Sequence, residues 1–259
     1  MNQPFCKCRL CHSTDHNVEF EKVILDKYNV KYYRCNTCLS LQTEPPFWLD
    51  EAYTNVKESG GKDVGALQRT INNFVKVYLI CKYLGINNVL DVGGGDGLLC
   101  RFLRDFGVNC FSNDKYVIPR YSNGFTSPNF STPDVLLCFE VIEHFYDPDS
   151  ELQSLFSMNP KVLIASTQIY VKQSHEWNYL GDTHVFFYSK KAMLITANRY
   201  GYNLIIHGDH LIFYKNNVRS GLRAAVEIFY NSFVFRFLKA ILINAKPIGV
   251  AADHAQLNR

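Results

Sequence analysis

Three things are scarce in this 259-residue chain, and each scarcity closes a route. Charge of one sign is the first: 27 Lys and Arg against 24 Asp and Glu leave a formal +3, too little by itself to imply nucleic acid or anionic lipid. Long uncharged apolar runs are the second, and without them no membrane-spanning helix is expected. A cleavable leader is the third. The polar, cysteine-rich N-terminus has no apolar core, which points to a cytoplasmic protein. What is plentiful is cysteine. Nine thiols are unusual as disulfides in a reducing compartment, so their spacing needs another account. Length and a 47% hydrophobic content suit one α/β core with room for a small accessory module.

Cys8-x-x-Cys11 and Cys35-x-x-Cys38 form two knuckles. Between them, Val18, Phe20 and Val23, then Val30, Tyr32 and Tyr33, alternate as a hairpin would. Four thiolates from two tight turns are the tetrahedral sulfur shell of a structural Zn2+. Cys6 and His12 flank the first knuckle and are alternative ligands, which leaves the register open.

The organising stretch is Asn88-Val-Leu-Asp91-Val-Gly93-Gly-Gly95-Asp96-Gly97. A short apolar strand runs into a glycine turn, and Leu98, Leu99, Phe102, Leu103 and Phe106 then recur at helical spacing. Such a turn brings the first amides of a helix to a ligand. A second strand over residues 109–112 is closed by Asp114, placed to accept hydrogen bonds from ribose hydroxyls. A dinucleotide fingerprint would put its third glycine where Leu98 stands, and Asp91 and Asp96 would repel a pyrophosphate. A sulfonium and an ammonium would be attracted instead.

Before this stretch, residues 66–84 carry the apolar stripe of a core helix, preceded by a boundary at Glu44-Pro45-Pro46 and a glycine loop at Ser59-Gly60-Gly61. After it, the Pro- and Ser-rich residues 118–133 predict only a short third strand near 124–126. Residues 134–139 predict a buried strand with Glu140 at its carboxyl end, where open α/β sheets place their chemistry. In helical geometry Glu140, Glu143 and His144 would share a face, suiting acid/base or metal work. A helix over 147–158, a strand over 161–167, an aromatic loop over 177–189, a helix capped by Ser189, and strands over 203–207 and 211–214 complete the expected sheet. His184 lies in the aromatic loop, a setting that suits a sugar's C–H faces and hydroxyls.

The Gly93-x-Gly95-x-Gly97 turn with Asp91 and Asp114 resembles the first motif of class I S-adenosylmethionine-dependent methyltransferases. That resemblance implies a Rossmann-like, seven-stranded α/β sheet with helices on both faces, preceded by the zinc ribbon. It implies S-adenosylmethionine held by Asp91, Gly93, Gly95, Gly97, Asp114 and Glu140. From Cys8 to Tyr214 the order of motifs resembles bacterial sugar methyltransferases that carry an N-terminal zinc module. His184 matches the second histidine of a run found in the sugar C-methyltransferases of that group, with Gly181 and Asp182 replacing its tyrosine and first histidine. The Glu-x-x-Glu-His segment with a downstream histidine is similar to magnesium-dependent small-RNA 2′-O-methyltransferases and ubiquinone-pathway O-methyltransferases. By that likeness Glu140, Glu143, His144 and His184 are the catalytic group and the candidate ligands of a Mg2+ or Mn2+ ion. The expected activity is O-methylation of a sugar hydroxyl on a nucleotide sugar or surface glycan. Sugar C-methylation and an RNA-binding or RNA 2′-O-methylating protein are the alternatives, the latter disfavoured by the lack of a basic stripe.

Residues 1–46 are thus read as the zinc module, 47–216 as the methyltransferase domain with its leading helices, and 217–259 as an amphipathic segment and tail. Arg219, Arg223, Glu227 and Asn231 share one helical side while Arg236 and Lys239 leave it, predicting a break near Asn231-Ser232. That segment is open between a core or homodimer contact and shallow attachment to the inner face of the membrane. Residues 251–259 are expected to be a loose tail.

Overall fold

The computed structural model describes residues 7–59, 65–218 and 220–257. It opens on a hairpin of β1 (His16–Ile24) and β2 (Tyr28–Cys35), whose turn holds Leu25 and Asp26 at positive φ. Short β3 (Leu41–Thr43) and α1 (Leu49–Ser59) follow. Gly60 and Gly61 of the expected loop lie outside the described residues. Then come α2 (Ala66–Leu84), β4 (Asn88–Val92), α3 (Leu98–Asp105), β5 (Asn109–Asn113) and β6 (Val135–Phe139). A single 3-10 turn, Ile142–His144, precedes α4 (Pro148–Ser157), β7 (Val162–Ser166), β8 (Phe186–Phe187) and α5 (Lys190–Tyr200). The chain continues through β9 (Asn203–His207), β10 (His210–Tyr214), α6 (Leu222–Tyr230), α7 (Ser232–Ile243) and α8 (Val250–Leu257).

The fold is mixed α/β, as expected. A four-stranded sheet has the order β1-β2-β3-β8, and a larger sheet has the order β5-β4-β6-β7-β10-β9. In the larger sheet β4 runs parallel to both β5 and β6, with Leu90 level with Phe111 and Leu136. Among the described residues this sheet has six strands, one fewer than expected. The missing strand is the one looked for near 124–126. Pro119, Pro128 and Pro133 surround it, and proline has no N–H to donate to a ladder. What survives is one backbone bond, Ser112 N to Phe125 O at 2.9 Å, and the fully buried Phe125 ring against Phe111.

The chain forms two compact units. The first comprises Met1–Lys62, Glu140–Ser157 and Ser166–His210. Its core gathers Tyr32, Leu41, Trp48, Tyr170, Tyr179 and Phe187, and Trp48 Nε1 donates to the Asp182 carbonyl at 2.8 Å. The second comprises Asp63–Phe139, Met158–Ala165 and Leu211–Arg259. Here Phe74 of α2 packs on Phe102 and Phe106, joining α2 to α3. The helix expected after residue 217 divides at Asn231, whose Oδ1 accepts from the amides of Phe233 and Val234 and so caps α7.

Residues 251–257 are not a loose tail. They belong to α8, and Asp253 is buried against α3, where it accepts from Arg104 Nε at 2.9 Å and Nη2 at 2.6 Å and also pairs with Arg101. Arg104, itself buried, lies 3.5 Å over the Phe125 ring. A Cβ on Gly249 would fall 1.9 Å from the Arg104 carbonyl oxygen, so only glycine lets α8 come this close. A lone acid in a short apolar segment reads as solvated. The buried guanidinium it serves lies far away in sequence.

Candidate active site

The glycine turn follows β4 in the second unit. Gly93, Gly95 and Gly97 all have positive φ, and Gly97 is the N-cap of α3. Two glycines answer to space as well. A Cβ on Gly94 would meet Ser112 Oγ at 2.4 Å and Asp91 Oδ2 at 2.6 Å, and one on Gly97 would meet Ser122 Oγ at 2.1 Å. Gly95 has open space beside it, so its need is conformational. The amides of Gly93 and Gly94 bond to the Asn113 carbonyl, fixing the turn on the end of β5. Asp114 accepts from Gly95 N at 3.0 Å and from the amides of Tyr116 and Val117 at 2.8 Å, which orients its carboxylate across the turn.

A cleft at the turn is lined by Asp91, Gly93, Gly94, Asp96, Leu98, Leu99 and Phe139, together with Thr70 and Asn73 of α2. Asp91 is buried, and its Oδ2 makes no hydrogen bond among the described residues. Burial, reinforced by Asp114, pushes its carboxyl up to about 7. A cationic ligand would relieve both the burial and the repulsion. The acidic lining, the orphaned oxygen and the glycine-rich turn fit S-adenosylmethionine. Thr70 and Asn73 are lining residues that the sequence reading missed. Their signal was weak, a polar pair at i, i+3 among the other polar residues of the helix leading into the first strand.

The second group lies in the first unit and follows directly on β6. Glu140 adopts positive φ, rare for a side chain with Cβ, so Glu140, Glu143 and His144 do not share one helical face. Its amide bonds to Ser166, and its carboxylate accepts from the Ser166 hydroxyl. The 3-10 turn then buries Glu143 completely. Tyr179 Oη donates to Glu143 Oε1 at 2.6 Å and also contacts Thr167 Oγ1 at 3.1 Å. Glu143 Oε2 makes no hydrogen bond among the described residues.

His144 Nδ1 stands 3.0 Å from the Thr183 carbonyl and His184 Nδ1 2.7 Å from the Tyr179 carbonyl. A carbonyl only accepts, so each Nδ1 carries the proton and each Nε2 keeps its lone pair. One ligand atom from each of Glu143, His144 and His184 lies within 4.8 Å of the others. Glu140, turned to Ser166, is outside this group. Burial, then the Glu140 charge, pushes Glu143 up to about 8. Burial, then His144, pushes His184 down to about 4, and burial lowers His144 as well.

A methyltransferase-domain family model matches residues 42–207, which span the turn, Glu140 and the histidine cluster. The chain belongs to this family. It is an S-adenosylmethionine-dependent methyltransferase. No curated protein matches this methyltransferase in sequence. Solved structures similar to it include magnesium protoporphyrin IX methyltransferase from Synechocystis PCC 6803 with bound S-adenosylmethionine, at 14% identity and a TM-score of 0.44 over 57% of this chain and 79% of that one. The 1,6-didemethyltoxoflavin-N1-methyltransferase of Burkholderia thailandensis matches at 11% identity and 0.48, over 71% and 93%. The methyltransferase domain of bacterial CtHen1-C matches at 16% and 0.42, over 56% and 97%.

The methyltransferase also gathers Cys8, Cys11, Cys35 and Cys38 into one group. Sγ–Sγ distances of 3.6 Å for Cys8–Cys38 and for Cys11–Cys35 approach the roughly 3.8 Å edge of a tetrahedral zinc–thiolate shell. The spacing and chemistry of this donor set fit Zn2+. His12 Nε2 is instead 2.9 Å from Asp149 Oδ2, and Cys6 lies outside the described residues. Among the described residues no helix is long and apolar enough to cross a membrane.

Proposed function

We propose that this methyltransferase moves the methyl group of S-adenosylmethionine to a sugar hydroxyl, on a nucleotide sugar or surface glycan, at a site where Glu143, His144 and His184 hold a divalent cation. The observation that carries the reading is the cluster itself: two imidazoles whose Nε2 atoms keep their lone pairs, and a buried carboxylate oxygen without a donor among the described residues. A divalent cation there would lower the pKa of the hydroxyl and orient it. The three side chains would act as ligands rather than proton carriers. A histidine held near 4 is a poor general base for a hydroxyl at neutral pH. Tyr179 fixes one oxygen of Glu143, and the Thr183 and Tyr179 carbonyls fix both rings, so the donors are oriented before any ligand arrives.

The turn residues Gly93, Gly95 and Gly97 would receive the amino-acid end of the cofactor, with Asp91 as counter-charge to its cationic groups and Asp114 on the ribose. Glu140, joined to the cofactor cleft through its chain neighbour Phe139, would stand at the adenosine side. The four cysteines would hold a structural Zn2+. The sugar assignment rests on the motif order along the chain.

The test is transfer of labelled methyl to nucleotide sugars, extracted glycolipids and RNA, in chelator and then with Mg2+ or Mn2+ returned. Metal-dependent label on a sugar, with the new methyl located on oxygen by NMR, supports the proposal. Label on carbon or on RNA replaces the acceptor, and label that survives chelation removes the cation.

A further inference from the structure

We infer that α7 is a membrane-docking element, whose outer face lies in the headgroup region of an anionic bilayer. The helix packs against α2 and α6. Its inner face carries the half-buried Val234, Phe235, Leu238 and Leu242, with Lys239 Nζ donating to Asn72 Oδ1 of α2 at 2.7 Å. The opposite face repeats Phe233, Phe237 and Ile241 at i, i+4 and i+8, which are 80%, 63% and 52% exposed. A helix with two apolar faces is ordinarily buried on both. Here nothing among the described residues covers the second.

Charge selects the occupant. From Ile228 to Ala252 the sequence holds Arg236, Lys239 and Lys246 and not one acid. Arg236 on α7 and Lys246 just past its end are exposed, and Ile248, 70% exposed, follows. Phenylalanines flanked by cations suit acyl chains beneath phosphate headgroups. A second copy fits poorly, because self-pairing of this face would set the same cations against one another with no acid to meet them. The α7 helix is too short to span, so the contact lies in the plane of the membrane.

The test is co-sedimentation of the full chain with phosphatidylcholine vesicles and with vesicles containing phosphatidylglycerol. Two variants accompany it, Phe233→Ser/Phe237→Ser/Ile241→Ser and Arg236→Glu/Lys246→Glu, both altering exposed positions, with S-adenosylmethionine binding as the check on folding. Wild type should sediment with the anionic vesicles and lose that binding in high salt. Each variant should bind at least about tenfold more weakly while still taking up cofactor. No sedimentation with anionic vesicles, or equal sedimentation of wild type and variants, overturns the assignment. So does a wild-type dimer that the serine variant converts to monomer without any vesicle binding, since a second copy would then own the face.

Discussion

Tyr179 Oη donates to one carboxylate oxygen of Glu143 across 2.6 Å, and the other oxygen is buried and has no hydrogen-bond partner among the described residues. A phenol that pins half of a carboxylate leaves the other half aimed. Tyr179→Phe keeps the ring in the core and removes only this bond. The apparent affinity for the proposed divalent cation should fall by about 10–100-fold. With saturating cation much of the rate should return. A titration of methyl transfer against Mn2+ reads the shift, and an unchanged midpoint would make the Tyr179 hydroxyl a packing group only.

His184→Ala removes one of the two free Nε2 atoms. Methyl transfer should drop at least about 100-fold, while S-adenosylmethionine affinity, measured by calorimetry, stays within a small factor. Loss of cofactor binding instead would mean that His184 supports the loop through its bond to the Tyr179 carbonyl.

Asp91 gives a pH signature to the ligand-free protein. Its carboxyl is raised from 3.8 to about 7, so the folded state keeps a proton that the unfolded chain releases. Its contribution is fully present below pH 4 and is lost as pH rises through about 7, a loss of roughly 4 kcal/mol for that group alone. Denaturant melts of wild type and Asp91→Asn between these pH values should diverge, the variant having the flatter profile. A cationic cofactor favours the ionised form, so wild-type affinity should rise with pH up to about 7 and then level off. The asparagine variant should bind weakly at every pH.

Two alanine substitutions in the same turn should behave differently. Gly95→Ala meets open space and costs about 1 kcal/mol for its positive φ. Gly97→Ala adds the collision with Ser122 to the same penalty and should cost about 2–4 kcal/mol, with loss of cofactor binding. Thermal melts with and without cofactor separate the two.

Cys8→Ser and Cys38→Ser should each lower bound zinc, measured by elemental analysis, and expose the hairpin to protease. A strong chelator should do the same to wild type. Full zinc loss with an intact hairpin would show the ribbon to be held by its own packing.

The turn, its acid-ended strands and the two cysteine knuckles were legible because each is a short pattern of residue types, glycines at every second position and cysteines three apart, even though the knuckles meet each other across the hairpin. The Ser189 cap and the break at Asn231 were legible for the same reason. The bonds that orient the histidines were not. Thr183 and Tyr179 offer backbone carbonyls, which leave no mark on side-chain identity. The turning away of Glu140 was also hidden, because positive φ at a glutamate goes against its residue type and its partner Ser166 lies 26 positions away. Helical spacing alone therefore overstated how closely Glu140 keeps company with Glu143 and His144.

The Arg104–Asp253 pair joins residues 149 positions apart. A ribosome that has delivered β4, α3 and β5 has delivered a guanidinium destined for burial long before the carboxylate that neutralises it. Until that acid emerges, the buried guanidinium has the Asn109 side chain, the Cys110 carbonyl and the Phe125 ring to meet it, and no opposite charge. Vectorial synthesis therefore leaves α3 without its neutralising acid until α8 has emerged from the exit tunnel.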